Sequence, residues 1–126
     1  MIIGIGVDII EIDRIKKAID NRKFIDRVFT EKEIGYCEGK KAEKAASFAA
    51  RFAAKEAVLK AFGTGLRDGK LVDIEIINDE LGCPKVYLKG FFAELANNRG
   101  INEIYTSLSH TKKNAIAQII FWGDKK

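Results

Sequence analysis

The sequence predicts an α+β fold, a mainly antiparallel sheet packed against one long central helix and several shorter ones. Three observations predict it. Residues 3–9 alternate with a period of two, as a strand does. Residues 41–62 place apolar side chains at helical spacing and stop at Gly63. Helical segments come mainly first and strands mainly later, which points to segregated layers and an antiparallel sheet.

Taken in order, Ile3, Ile5, Val7 and Ile9 point one way, and Gly4, Gly6 and Asp8 the other. That is a strand with one bare face, open to close backbone approach. Ile12, Ile15 and Ile19 then recur at the spacing of one helix face. Thr30 with Glu33 forms a capping box, opening a short helix that should end near Gly39. In the long helix, Phe48, Phe52, Leu59 and Phe62 make one stripe, and Lys55 falls inside it. A charge there needs a partner, because unpaired burial is costly. Residues 72–77 and 85–88 read as strands joined through a turn, 90–99 as a helix closed by Gly100, and 103–109 with 114–122 as a hairpin.

At 126 residues, with 47% apolar and 32% charged side chains and no repeat or linker, the chain reads as one soluble domain over 1–126. No apolar run reaches the roughly 18 residues of a membrane helix, and the apolar start lacks a signal-peptide pattern. Cys37 and Cys83 fit no metal spacing and read as free thiols of a cytoplasmic protein. The net charge of +4 favours anionic partners weakly. Acidic residues are mixed in throughout, and no basic stripe with interleaved aromatics marks a nucleic-acid binder.

Four places could carry chemistry. Asp8 sits on the glycine face of the first strand; the bland alternative is that Asp8, with Glu11, caps the next helix. Glu56 lies beside the apolar stripe, four residues before Lys60, where an ordinary helical ion pair is the competing reading. One carboxylate from a strand and one from a helix make the incomplete site that Mg²⁺ prefers, completed by water and a substrate phosphate. Gly63, Thr64 and Gly65 follow a helix and form no Walker loop; they are either a plain helix end or a loop along which a ligand lies. Ser109, His110 and Thr111, followed by Lys112 and Lys113, gather phosphate-binding groups in one turn, or merely a solvated turn. The segment from Arg14 to Arg27 is the most basic and could dock an acidic helix.

Residues 4–8 (GIGVD), 11–15 (EIDRI), 29–33 (FTEKE), 51–57 (RFAAKEA) with Lys60, 62–65 (FGTG) and 107–111 (SLSHT) resemble, in order, the motifs of the holo-(acyl-carrier-protein) synthase family. The resemblance spans nearly the whole chain and implies the 4′-phosphopantetheinyl transferase fold. It further implies transfer of 4′-phosphopantetheine from coenzyme A to a serine of acyl carrier protein, in fatty acid biosynthesis. Asp8 and Glu56 would bind Mg²⁺, and Lys60 would neutralise the coenzyme A pyrophosphate. Arg51, Gly63, Thr64 and Gly65 would lie near the nucleotide, and Ser109, His110 and Thr111 near its phosphorylated ribose. Arg14, with Arg22 or Lys23, would meet the acidic helix of the carrier protein. The expected assembly is a homotrimer with the cleft between subunits. The base for the carrier serine stays open between Glu56 and a water on the metal.

Two other classes compete. A non-catalytic module binding acidic proteins or nucleic acid through residues 14–27 would be sensitive to salt and indifferent to Mg²⁺ and coenzyme A. A Mg²⁺-dependent nucleotide hydrolase would release adenosine bisphosphate without a carrier protein.

Overall fold

The bare face of the first strand is what lets it lie on the long helix. In the computed structural model, which describes residues 1–66 and 68–125, β1 (Ile2–Glu11) pairs antiparallel with β5 (Asn114–Gly123). β5 pairs antiparallel with β4 (Ile101–His110), giving the order β1-β5-β4. The long helix, α4 (Lys44–Phe62), packs on one face of this sheet. A β carbon on Gly6 would stand 1.9 Å from the Ala57 carbonyl oxygen, and one on Gly4 2.6 Å from that of Ala61. Only a residue without a side chain allows that approach.

The inner face is completed by Ala115, Ala117, Ile119 and Phe121 of β5, all buried. Phe62 closes the end of α4 with its ring 4.6 Å from Phe121 and 5.8 Å from Phe92. Full burial of each such ring contributes about 2–3 kcal/mol. The outer face keeps its apolar row in solvent: Ile5, Val7 and Ile9 are 60%, 52% and 63% exposed. Ile116, Tyr105 and Trp122 are exposed on the partner strands.

β1 passes directly into α1 (Ile12–Ala18), which buries Ile12 and Ile15. A further short helix, α2 (Arg22–Val28), is one that periodicity did not predict; Asn21 caps it by accepting from the Lys23 amide. The capping box opens α3 (Glu31–Glu38) as expected. α4 begins three residues later than its apolar pattern suggests, because Lys41 takes a left-handed backbone (φ 53°) and residues 41–43 form a 3₁₀ turn. A second 3₁₀ turn (Leu71–Asp73) delays β2 to Ile74–Asn78. β2 pairs antiparallel with β3 (Pro84–Leu88) in a sheet of its own, so the strands form two sheets. α5 (Gly90–Asn98) then leads into β4. Among the described residues, no helix is long and apolar enough to cross a membrane.

Lys55 finds its partner in this framework. Its ammonium lies 2.8 Å from Glu33 Oε1 and donates to the carbonyls of Leu71 (3.0 Å) and Ile74 (2.5 Å). Both side chains are fully buried. Glu33 also accepts from the Thr30 and Ile76 amides, both at 2.8–2.9 Å. Burial pulls the Lys55 ammonium below the usual lysine range, and the Glu33 carboxylate opposes that pull.

Candidate active site

The glycine contacts that seat β1 on α4 also bring Asp8 to the helix. Lys60 Nζ donates to Asp8 Oδ1 at 2.9 Å and to the Val7 carbonyl at 3.1 Å. Asp8 does not cap α1: the cap position is Glu11, whose side chain makes no capping bond. Nor does Lys60 pair with Glu56 within hydrogen-bonding reach; its ion pair goes across the fold. Glu56, one turn before Lys60, is half-buried. Burial pushes its carboxyl above the usual glutamate range, the Asp8 carboxylate adds to the rise, and Lys60 offsets part of it.

Glu56 and Lys60 line a cavity of about 550 Å³ whose walls also include Leu59, Gly63, Gly65 and Leu71. Gly63 ends α4 in the left-handed conformation (φ 75°), its amide bonded to the Leu59 carbonyl. The chain therefore turns away sharply and leaves the helix end open to the cavity. Thr64 follows, its hydroxyl donating to the Gly65 carbonyl. Two carboxylates, one raised in pKa by burial and further by the other, suit a hard divalent cation, and the adjoining space suits its phosphate. Among the described residues, no group of three or more His, Cys, Asp or Glu side chains could hold a metal alone. A metal here would depend on water and ligand oxygens.

Arg51, Ser109 and His110 line a different cavity, of about 430 Å³, together with Tyr36, Lys40 and Ser47. Arg51 is buried, with its guanidinium 4.2 Å from the centre of the Tyr36 ring. It donates to Ser47 Oγ at 3.3 Å and to Asn78 Oδ1, while its buried Nε has no hydrogen-bond partner among the described residues. His110 Nε2 is 3.8 Å from Glu43. The Thr111 hydroxyl accepts from the amides of Lys113 and Asn114, so it closes the β4–β5 hairpin. Arg51 and Glu56, five residues apart, stand about 140° apart around α4, so one chain presents the two cavities on different faces of the helix. Arg14, Arg22 and Lys23 are exposed on the first two helices, and Arg22 already pairs with Asp26 at 3.0 Å.

Sequence reasoning singled out neither Ser47 nor Tyr36 nor Leu71. Ser47 was within reach, since it precedes Arg51 by one helical turn. Tyr36 and Leu71 reach their cavities through contacts between distant segments, for which no local pattern exists.

Residues 4–119 match the 4′-phosphopantetheinyl transferase superfamily. The chain belongs to that superfamily and is an enzyme of this class. Within it, the chain is similar to the holo-(acyl-carrier-protein) synthases along nearly its whole length. It is 54% identical over 125 residues to the one from Clostridium tetani (strain Massachusetts / E88), covering 98% of both chains. The Bacillus anthracis enzyme, solved in complex with CoA (3′,5′-ADP), superposes with a TM-score of 0.81 at 39% identity, covering 98% of this chain and 99% of that one. The Helicobacter pylori enzyme, solved with coenzyme A, gives 0.82 at 31% identity over 94% of this chain and 99% of that one.

Proposed function

We propose that this chain transfers 4′-phosphopantetheine from coenzyme A to a serine of apo acyl carrier protein, with Mg²⁺ held by Asp8 and Glu56. The observation that carries this reading is the grouping of Asp8 with Lys60 and Glu56, the last two of which line one cavity. The serine oxygen forms a bond to the phosphorus nearer the pantetheine, and the bond from that phosphorus to the bridging oxygen breaks. Adenosine 3′,5′-bisphosphate leaves. Glu56, its carboxyl raised above the usual glutamate range by burial and by Asp8, takes the serine proton. Lys60 turns from Asp8 to the pyrophosphate and neutralises charge that builds up during transfer. When bound, Mg²⁺ supplies further neutralisation of the pyrophosphate. Gly63, Thr64 and Gly65 let the nucleotide lie close to the backbone.

The second cavity takes the phosphorylated ribose in this reading. Arg51, Ser109 and His110 lining one cavity suit an anion. Thr111 belongs to the same hairpin and shapes its tip. Because the two cavities lie on different faces of α4, the reading calls for a second copy to bring its Arg51 side to the Glu56 side of the first. The exposed apolar row of β1 and β5 supplies a surface for such contact, in a homotrimer with the cleft between subunits. The exposed Arg14, Arg22 and Lys23 receive the acidic helix of the carrier protein. The domain over 1–126 would act in fatty acid biosynthesis in the cytoplasm.

The test is incubation with coenzyme A, Mg²⁺ and apo carrier protein, read by mass spectrometry. The carrier should gain the mass of phosphopantetheine, and the gain should vanish with EDTA. A carrier competent with another transferase that gains nothing here would sink the proposal.

A further inference from the structure

Lys55 neighbours Glu56 in sequence but faces away from the cavity, into the interior. An ammonium has three donors, and here each has its own acceptor: Glu33 Oε1 and the Leu71 and Ile74 carbonyls. Two of the three acceptors are backbone atoms at the ends of the 3₁₀ turn Leu71–Asp73. That turn is where the chain returns after leaving α4 at Gly63. Leu71 is at the same time a wall of the cavity that holds Glu56 and Lys60.

The last residue of α4 is held as well. Arg99 donates to the Phe62 carbonyl at 2.5 Å, with its guanidinium 5.7 Å from the centre of the Phe62 ring. Arg99 thus fixes the end of α4 itself, while Lys55 fixes the place where the chain returns to it. Glu33 supports the Lys55 end by also accepting from the Ile76 amide, just past the tether. A core contact serving stability alone would be met as well by an apolar side chain, since a buried ion pair seldom beats one. A cation saturated with backbone carbonyls does what an apolar side chain cannot: it sets where a loop lands.

We propose that Lys55, buttressed by Glu33, is a positioning residue for coenzyme A, holding Leu71 and its loop at the spacing from α4 that the ligand requires. This rests on the assignment of the Glu56 cavity to coenzyme A. Lys55 touches no ligand, and its effect passes through the Leu71 and Ile74 carbonyls.

The decisive variant is the double substitution Lys55→Met with Glu33→Gln. It keeps core volume, leaves no lone buried charge, and retains one oxygen at position 33, enough for one of the two amides (Thr30 and Ile76) that Glu33 serves with separate oxygens. It should fold, shown by circular dichroism, and bind coenzyme A roughly tenfold more weakly by calorimetry. KM for coenzyme A should rise while KM for the carrier protein holds. Ile119→Val, a core change on β5 at a residue that does not line the cavity, serves as the stability control and should leave both values at the parent level. Lys55→Gln, which keeps two of the three donors on a shorter side chain, is the second variant and should also weaken coenzyme A binding. A folded double variant or Lys55→Gln with parental affinity overturns the proposal, as does failure of both to fold, which would make the pair purely structural. A parent chain that binds no coenzyme A would instead sink the underlying functional reading.

Discussion

Lys60 gives its ammonium to Asp8, across the fold, and not to Glu56, one turn away on its own helix. The contact holds a positive charge between strand and helix where a ligand's negative charge is expected. Lys60→Met should therefore lower turnover about 10²–10³-fold, the loss typical for one donor to a charged transition state. Steady-state kinetics at saturating coenzyme A checks this. A variant within twofold of the parent would remove Lys60 from the reaction.

Glu56 should trade stability for function. Its carboxyl binds a proton more tightly folded than unfolded, because burial and Asp8 oppose its charge. Between the ordinary glutamate pKa and the raised one, the folded chain holds more protons, so stability falls as pH rises through that window. Below the window nothing is lost, and above it the loss is complete. Glu56→Gln should melt higher than the parent at neutral pH in EDTA, with the difference fading below about pH 4, and should lose activity by orders of magnitude. Equal melting curves at neutral pH would contradict this account.

Gly6→Ala tests the seat of β1. The new methyl would meet the Ala57 carbonyl at 1.9 Å, and backbone cannot give way as a side-chain tip does. A loss of about 1–3 kcal/mol is expected in urea unfolding. The displaced strand carries Asp8 with it, so activity should fall further than stability alone explains. Full activity in the folded variant would mean that the spacing of Asp8 from α4 is not critical.

The outer face of β1 can be tested separately. Val7 is exposed and makes no core contact, so Val7→Arg should leave the single chain's fold intact. Sedimentation should show the parent at three chain masses and the variant at one, with activity lost alongside. A parent that sediments as a single chain would dismiss the trimer.

The His110 side chain lines the Arg51 cavity, with Nε2 3.8 Å from Glu43. His110→Ala should raise KM for coenzyme A several-fold, as expected for a lost hydrogen bond to a charged group. It should change KM for 3′-dephospho-coenzyme A little, because that analogue lacks the phosphate. Equal penalties on both substrates would move His110 away from the ribose phosphate.

What the sequence revealed here followed the range of each signal. The Thr30–Glu33 box, the left-handed stop at Gly63 and the alternation of β1 are local, and all three stand in the structure. α2 escaped notice because seven residues with one Asn cap give little period to read. Lys55 was visibly misplaced, yet its partner was hidden because Glu33 already had a role in the capping box. The Asp8–Lys60 contact spans 52 residues and has no local trace. The division between the Arg51 and Glu56 faces was legible, since five residues of helix turn through about 140°.

β1 is the element whose alternation carries the most. Its even positions lie against α4, where Gly4 and Gly6 leave no room for a methyl, and Asp8 is the next even place; Ile5, Val7 and Ile9 hold the odd ones. Deleting or inserting a single residue ahead of Asp8 would reverse this parity. It would press isoleucine into the helix backbone, turn glycine outward and carry the carboxylate to the far side of the sheet. A two-residue change would keep every side chain on its proper face. Along this strand the gene can drift in even steps, while an odd one removes the site at a stroke.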